Sequence, residues 1–102
     1  MIIYNVTISV ENEIHDNWIH WMKEDHIPKV MACGIFKTAQ LNKVLTQEDS
    51  GQTYAIAYSC NSMKDLHQYQ VQYAAVLQKE HVDMFGEKAL AFRTLMEVVK
   101  VF

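Results

Sequence analysis

Residues 2–10 of the chain alternate between two sets of positions, one apolar and the other mostly polar. Alternation of period two with many β-branched residues predicts a half-buried strand. Similar segments at 35–45, 53–60 and 92–102 predict three more strands, and the polar segment TQEDSGQ between the second and third predicts a hairpin turn. In the first strand the apolar set is Ile2, Tyr4, Val6, Ile8 and Val10, and the other set is Ile3, Asn5, Thr7 and Ser9.

After the first strand the apolar spacing changes to that of a helix. From about Glu13 the apolar residues recur one turn apart, and acidic residues lie near the positive end of the helix dipole. Pro28 is expected to kink or interrupt this helix, and Gly34 to end it in a left-handed conformation. The predicted apolar stripe consists of Ile14, Trp18, Trp21 and Met22.

A second helix is predicted between the third and fourth strands. Ser62, with Asp65 three residues later, resembles a capping box with the shorter acid, and Gly86 is expected to end the helix after about Phe85. Its apolar stripe consists of Leu66, Tyr69, Tyr73, Val76 and Leu77.

The predicted element order is β-α-β-β-α-β. Two crossovers of this kind interleave into a four-stranded antiparallel sheet with both helices on one face, so we predict an α+β, ferredoxin-like fold. One domain is expected over residues 1–102, because the chain is near the commonest domain size and contains no linker.

The sheet face turned away from the helices is predicted to carry mostly small, neutral side chains. Only Arg93 and Glu97, which we assign to this face, carry charge there. A solvated sheet face usually carries more Lys and Glu, so this face is suited to packing against a second copy of the chain. The pattern therefore favours a homodimer.

The composition excludes several classes of protein. A net charge of −3 argues against a nucleic-acid surface, which needs clustered Lys and Arg. The two cysteines have no metal or redox spacing, and the histidines have no ligand spacing, so no metal site is expected. The first residues do not resemble a signal peptide, and no apolar run is long enough to span a membrane. We expect a cytoplasmic protein.

One segment of the first helix places a carboxylate and an imidazole beside the apolar stripe. In a regular helix Asp25 projects onto the middle of the stripe and His26 onto its edge. The functional interpretation makes His26 a general base or ligand donor with Asp25 as partner; the alternative is that Pro28 loosens the turn and both reach solvent. We expect Asp25 to be partly buried and bonded to Lys29, to the Trp21 indole or to a group reaching across from the sheet, and His26 to line the edge of the same cavity.

Two further polar residues are candidates for a site. His81, late in the second helix, could ligate a haem iron, contact a substrate, or interact with the negative end of its helix. Arg93 requires an acid or an anionic ligand, and Glu97 is its ready structural partner. The aromatic residues Trp21, Tyr58 and Tyr73 are predicted core residues that become ligand-binding walls if a cavity exists.

The chain resembles a bacterial family of about this length that is classed as a domain of unknown function. The resemblance lies in the element order, in W-x-x-W-M-K-E-D-H-I-P…G-I-F (18–36) and in F-R-T-L-M-E-V (92–98). The family belongs to the dimeric α/β-barrel superfamily, which implies two subunits packed sheet to sheet, with a cavity between each sheet and its helices. Relatives include cofactor-free antibiotic-biosynthesis monooxygenases, EthD-like proteins, muconolactone isomerases and haem-degrading monooxygenases.

The resemblance also carries individual residues. His26, before Ile27 and Pro28, is similar to the helix-one H-x-P of the EthD-like group. The haem-degrading group uses an Asn in strand one and a His late in helix two, where this chain has Asn5 and His81. However, the Trp that this group carries in helix two is missing here, and the strand pattern turns Asn5 away from the helices.

The sequence therefore supports two functions from different classes. The first is a small-molecule-binding protein or cofactor-independent enzyme, monooxygenase-like or isomerase-like, acting on a small aromatic or polyketide-like compound with His26 as acid or base. The second is a non-catalytic dimeric binding module. A helix-facing pocket of about 300 Å3 or more would favour the first, and a filled core the second. A haem-binding or haem-degrading protein is a third interpretation; no cofactor is expected.

Overall fold

The computed structural model describes residues 1–45 and 50–102 and follows the predicted order of strands and helices. Residues 46–49, which belong to the predicted hairpin turn, lie outside this description. Both helical regions are interrupted rather than continuous. The strands are β1 (Ile2–Glu11), β2 (Thr38–Val44), β3 (Gly51–Cys60) and β4 (Ala89–Glu97). The first helical region comprises α1 (His15–Trp21), a π-helical turn (Met22–His26) and α2 (Ile27–Ala32), and the second comprises α3 (Met63–Gln72) and α4 (Ala74–Phe85).

The four strands form one antiparallel sheet in the order β2-β3-β1-β4. Tyr4 of β1 lies opposite Tyr58 of β3, and Val6 lies opposite Arg93 of β4. The helices pack on the face that carries Tyr4 and Val6. The prediction of a ferredoxin-like α+β fold with helices on one face of the sheet is confirmed.

The sequence misplaced the last strand. β4 covers Ala89–Glu97, three residues earlier at its start than the predicted 92–102 and ending five residues sooner. Apolar residues of this strand occur at both odd and even positions. The alternation of apolar and polar residues therefore could not define where the strand begins and ends. The backbone N–H of Val98 still donates to the carbonyl of Met1, at 2.9 Å, where the pairing with β1 ends.

The core lies between the helices and the inner face of the sheet. Met22, Ile56 and Leu66 are among its fully buried side chains, and burying an aliphatic side chain of this size contributes about 1.5–3 kcal/mol. An aromatic cluster covers the sheet on this side. It consists of Tyr4, Phe36, Tyr58 and Tyr69, with ring centroids 4.8–5.9 Å apart.

The predicted helix ends are confirmed. The Ser62 hydroxyl accepts a hydrogen bond from the backbone N–H of Asp65 at 3.2 Å and so caps α3. Gly34 and Gly86 follow α2 and α4 with φ values of 79° and 55°, a conformation that favours glycine. Within the described ranges, no helix is long and apolar enough to cross a membrane.

The outer face of the sheet is nearly free of charge. Asn5, Thr7 and Ser9 lie on it, as predicted, together with three exposed apolar side chains of β4: Leu90, Phe92 and Met96. Arg93 and Glu97 do not belong to this face, because they lie opposite Val6 and Ile2 on the helix side. The correction makes the outer face more apolar than the sequence suggested.

Candidate functional site

A small cavity lies between the helices and the inner face of the sheet. It encloses about 30 Å3, which corresponds to about one ordered water molecule. Its polar wall is formed by His26, Gln78, His81 and Arg93. The remaining walls are apolar or aromatic: Tyr4, Val6, Ile8, Met22, Val30, Ile56, Tyr58, Tyr69, Leu77 and Ala91.

The π-helical turn places His26 in this cavity. Pro28 lacks an N–H, and in a regular helix its ring would clash with the carbonyl four residues earlier; a wider turn relieves this conflict. The wider turn rotates the following residues, so the buried positions recur every four residues. They are Trp18, Met22 and Val30, with His26 between them.

The imidazole of His26 is neutral at physiological pH. Burial and, to a smaller extent, the neighbouring His81 lower its pKa from 6.5 to about 4, against the opposing effect of Asp25. Its ring stacks on Trp21 with centroids 5.0 Å apart. Within the described part of the chain, its Nδ1 is buried without a hydrogen-bond partner. Such an atom is a candidate for contact with a ligand.

Asp25 is partly buried and bonded to Lys29, as predicted, but it does not lie at the cavity beside the apolar stripe. Its side chain is 40% exposed and lies 3.3 Å from Nζ of Lys29, which also lies 3.4 Å from Glu80. Lys29 was one of the predicted donors, but Asp25 is not among the residues that line the cavity. The expectation assumed a regular helix, and the π-helical turn exchanges the positions of Asp25 and His26 relative to the core.

His81 is held by a residue of the first helix. The indole Nε1 of Trp18 donates to Nε2 of His81 at 3.0 Å, and both side chains are buried. Because the indole N–H can only donate, Nε2 of His81 carries a lone pair and the proton of the neutral ring is on Nδ1. Burial lowers the pKa of His81, which keeps the ring neutral. His81 is therefore a core hydrogen-bond acceptor and does not act as a cation at the end of its helix.

Arg93 faces the cavity rather than the outer face of the sheet. Its Nε donates to the hydroxyl of Tyr4 at 2.9 Å. In the residues that the structure describes, no ion pair joins Arg93 to Glu97 or to any other acid. The predicted structural pair is therefore wrong, because Glu97 lies at the end of β4, opposite Ile2, whereas Arg93 lies opposite Val6.

The other predicted ligand-binding residues separate into two groups. Tyr58 is buried and lines the cavity, and the ring of Trp21 stacks on that of His26 without lining the cavity itself. Tyr73 stacks on Tyr69 outside the cavity wall. Asn5 lies on the outer face of the sheet, where its amide donates to Thr7 at 3.1 Å.

This arrangement does not fit the haem interpretation. Asn5 and His81 lie on opposite faces of the sheet, so they cannot contact one bound group. Nε2 of His81, a usual position for an axial ligand, is already bonded to Trp18.

An open groove adjoins the cavity. It occupies about 330 Å3 between α4 and the edge strand β4, and four of its residues also line the cavity: Gln78, His81, Ala91 and Arg93. The rest of its wall comprises Val82, Gly86, Glu87, Ala89 and Leu90. The shared residues make the groove a direct approach to His26.

Sequence reasoning missed three residues of this site. Tyr4, assigned only to the core, orients Arg93; Trp18, also assigned to the core, orients His81. Gln78 lies three residues before His81 on α4 and lines both spaces. Its position one turn from a predicted site residue was the signal that could have found it.

Solved structures with this fold include proteins of the ferredoxin-like dimeric class. An ethyl tert-butyl ether D (EthD) family protein from Bacillus halodurans is 12% identical in sequence and has a TM-score of 0.71. The match covers 97% of this chain and 100% of that one. A dimeric ferredoxin-like protein from an uncultured marine organism is 14% identical with a TM-score of 0.67, over 100% and 98% of the two chains. At these identities the likeness shows the fold alone.

A third similar structure, from Deinococcus radiodurans, is provisionally described as an antibiotic biosynthesis monooxygenase. It is 10% identical with a TM-score of 0.65, over 100% of this chain and 96% of that one. None of the curated proteins matches the sequence. The family model DUF4286, a domain of unknown function, matches residues 1–99, and the chain belongs to that family.

Proposed function

We propose that this protein binds a small aromatic or polyketide-like compound and acts on it as a cofactor-independent enzyme, with His26 as the acid–base group. The observation that carries the proposal is the buried, unpartnered Nδ1 of a neutral imidazole at the cavity wall. The likeness to proteins described as EthD-like or as antibiotic biosynthesis monooxygenases supports this class of chemistry.

The chemistry proposed for His26 is a proton transfer. In the tautomer with its proton on Nε2, the lone pair of Nδ1 takes a proton from an acidic O–H or C–H bond, and the electron pair of that bond stays on the substrate. An isomerase returns the proton to another carbon of the carbanion. In an oxygenase, dioxygen is the oxidant: it combines with the carbanion to a peroxide, which takes the proton back from His26 and loses water, so that one oxygen atom stays on the product. The low pKa keeps the His26 ring unprotonated but makes it a weak base, and a substrate anion beside the ring would raise the pKa and strengthen the base.

A second candidate is a binding module that does not convert its ligand. The cavity of about 30 Å3 favours it, since a drug-sized ligand needs about 300 Å3 or more. The adjoining groove of about 330 Å3 provides that room, with only the ligand's reactive end reaching His26. Binding in the groove is common to both candidates, and turnover separates them.

We also propose that the functional unit is a cytoplasmic homodimer. The neutral outer face of the sheet, with Leu90, Phe92 and Met96 exposed, supports packing against a second copy. Two similar structures are described as dimeric ferredoxin-like proteins. Cys33 and Cys60 are free thiols, which is consistent with a reducing compartment.

The test is ligand retention followed by turnover. Native mass spectrometry of protein purified from its own host should reveal one small molecule per subunit, and His26→Gln should lose it while remaining folded. His67→Gln, an exposed histidine of α3, is the matched control. Conversion of the released compound by fresh protein would support the enzyme. Recovery of the compound unchanged would support the binding module. Equal retention by the His26 and His67 variants would contradict a role for His26 in either candidate.

A further inference from the structure

Arg93 is a solvent-exposed cation at the junction of the cavity and the groove. No carboxylate in the described ranges lies within ion-pair distance of it. Its Nε is engaged by the hydroxyl of Tyr4, so the guanidinium is oriented by a buried residue while Nη1 and Nη2 remain as donors for another partner. Arginine in such a position is suited to a bidentate bond with an anion.

The surroundings of Arg93 do not supply that anion. Of the described residues that line the cavity, none is acidic, and the groove contributes a single acid, Glu87. Arg93 acts electrostatically on both His26 and His81, lowering the pKa of each. The guanidinium therefore acts on the polar wall of the cavity, although the chain as a whole has a net charge of −3.

We infer that the ligand is a small aromatic carboxylate, held by its carboxylate on Arg93 with its ring in the groove between α4 and β4. This inference rests on the proposed function and names its substrate class. The groove volume of about 330 Å3 fits one or two fused rings. Val82, Ala89 and Ala91 provide apolar contact for the ring, and Gln78 provides a polar group beside it.

Dimerisation through the outer face would leave this position open. Arg93 lies on the helix side of β4, opposite Val6, whereas the proposed interface uses the other face of the same strand. A second copy packed on Phe92 and Met96 therefore does not neutralise the guanidinium by covering it. Arg93 therefore stays accessible to an anion from solution.

The experiment compares two probes of equal shape, 2-naphthoate and the neutral 2-naphthamide, by isothermal titration calorimetry. The wild-type protein should bind the carboxylate at least about tenfold more tightly, which corresponds to about 1.4 kcal/mol. Arg93→Gln should remove this preference without weakening the amide, and Arg93→Lys should keep part of it. Lys79→Gln is the matched control, because it removes an exposed cation of α4 that is paired with Asp83.

Several outcomes would overturn the inference. Equal affinity of the wild-type protein for the two probes would do so, as would no binding of either. An equal loss of both probes in Arg93→Gln would make Arg93 a structural support of Tyr4 instead. If Arg93→Gln does not fold, the affinity of the wild-type protein for both probes can be measured at increasing ionic strength instead. Only the binding of the carboxylate should weaken, because salt screens its attraction to Arg93. A failure here leaves the result for the His26 variant unaffected, so the two proposals are separately testable.

Discussion

The indole nitrogen of Trp18 donates to Nε2 of His81 across the interface between the two helical regions, at 3.0 Å. The bond joins residues 63 positions apart in the sequence. It fixes the tautomer of His81 and holds α1 against α4 directly beside the cavity. A catalytic or binding role for His26 depends on this support, because Trp21 contacts both His26 and His81.

Trp18→Phe should destabilise the fold markedly. The change removes the donor and leaves Nε2 of His81 buried without a partner, a loss of about 1–3 kcal/mol, and the smaller ring adds a cavity. The free energy of unfolding in urea measures the effect. Trp21→Phe, at a half-buried position, is the control and should cost less; equal costs for the two variants would contradict the proposed support.

His26 should make stability depend on pH. Its pKa is about 4 in the folded protein and 6.5 in the unfolded chain, so the unfolded chain binds more protons between these values. The stabilisation is complete above pH 6.5 and is lost as the pH falls towards about 4, with a maximum of about 3 kcal/mol.

His26→Gln should remove this contribution to the slope. The measurement is the free energy of unfolding of the wild type and the variant at several pH values, and their difference should change by up to about 3 kcal/mol over this range. His67→Gln, at an exposed position of α3, is the matched control. A slope that His26→Gln does not alter would mean that His26 titrates as an ordinary surface histidine.

The π-helical turn explains why the sequence misassigned this segment. A regular helix brings Asp25 onto the apolar stripe, and only a wider turn brings His26 there instead. Pro28 indicated a disturbance but not its form. The four-residue spacing of Trp18, Met22, His26 and Val30 carried the missing information, because four residues exceed one turn of an α-helix.

The face on which a strand residue lies could be predicted only where apolar and polar residues alternate clearly along the strand. β1 has one clearly apolar parity, and its face assignment is confirmed. In β4, apolar residues occupy both parities, since the outer face carries Phe92 and Met96 while the inner carries Ala91. Arg93 was therefore assigned to the wrong face. Its bond to Tyr4 joins residues 89 apart, which no local pattern reveals.

Asp25→Ala should leave the free energy of unfolding within experimental error of the wild-type value. The carboxylate is 40% exposed and its partner Lys29 also lies near Glu80, so the change strands no buried donor. Ligand retention should also persist, in contrast to His26→Gln. A large loss of stability would show that the carboxylate is more deeply engaged than the ion pair with Lys29 indicates.

Phe92→Asp should dissociate the proposed homodimer. Phe92 is 61% exposed in the isolated chain and lies on the neutral outer face of the sheet, so an interface there would bury it and a carboxylate would be costly to desolvate. Sedimentation equilibrium at micromolar concentration should give twice the 11.9 kDa chain mass for the wild type and the chain mass for the variant. Val76→Asp is the matched control, since Val76 is 65% exposed but lies on α4, away from that face; it should remain dimeric. A wild-type protein that sediments only as a monomer, or a Phe92 variant that stays dimeric, would exclude the outer face as the interface.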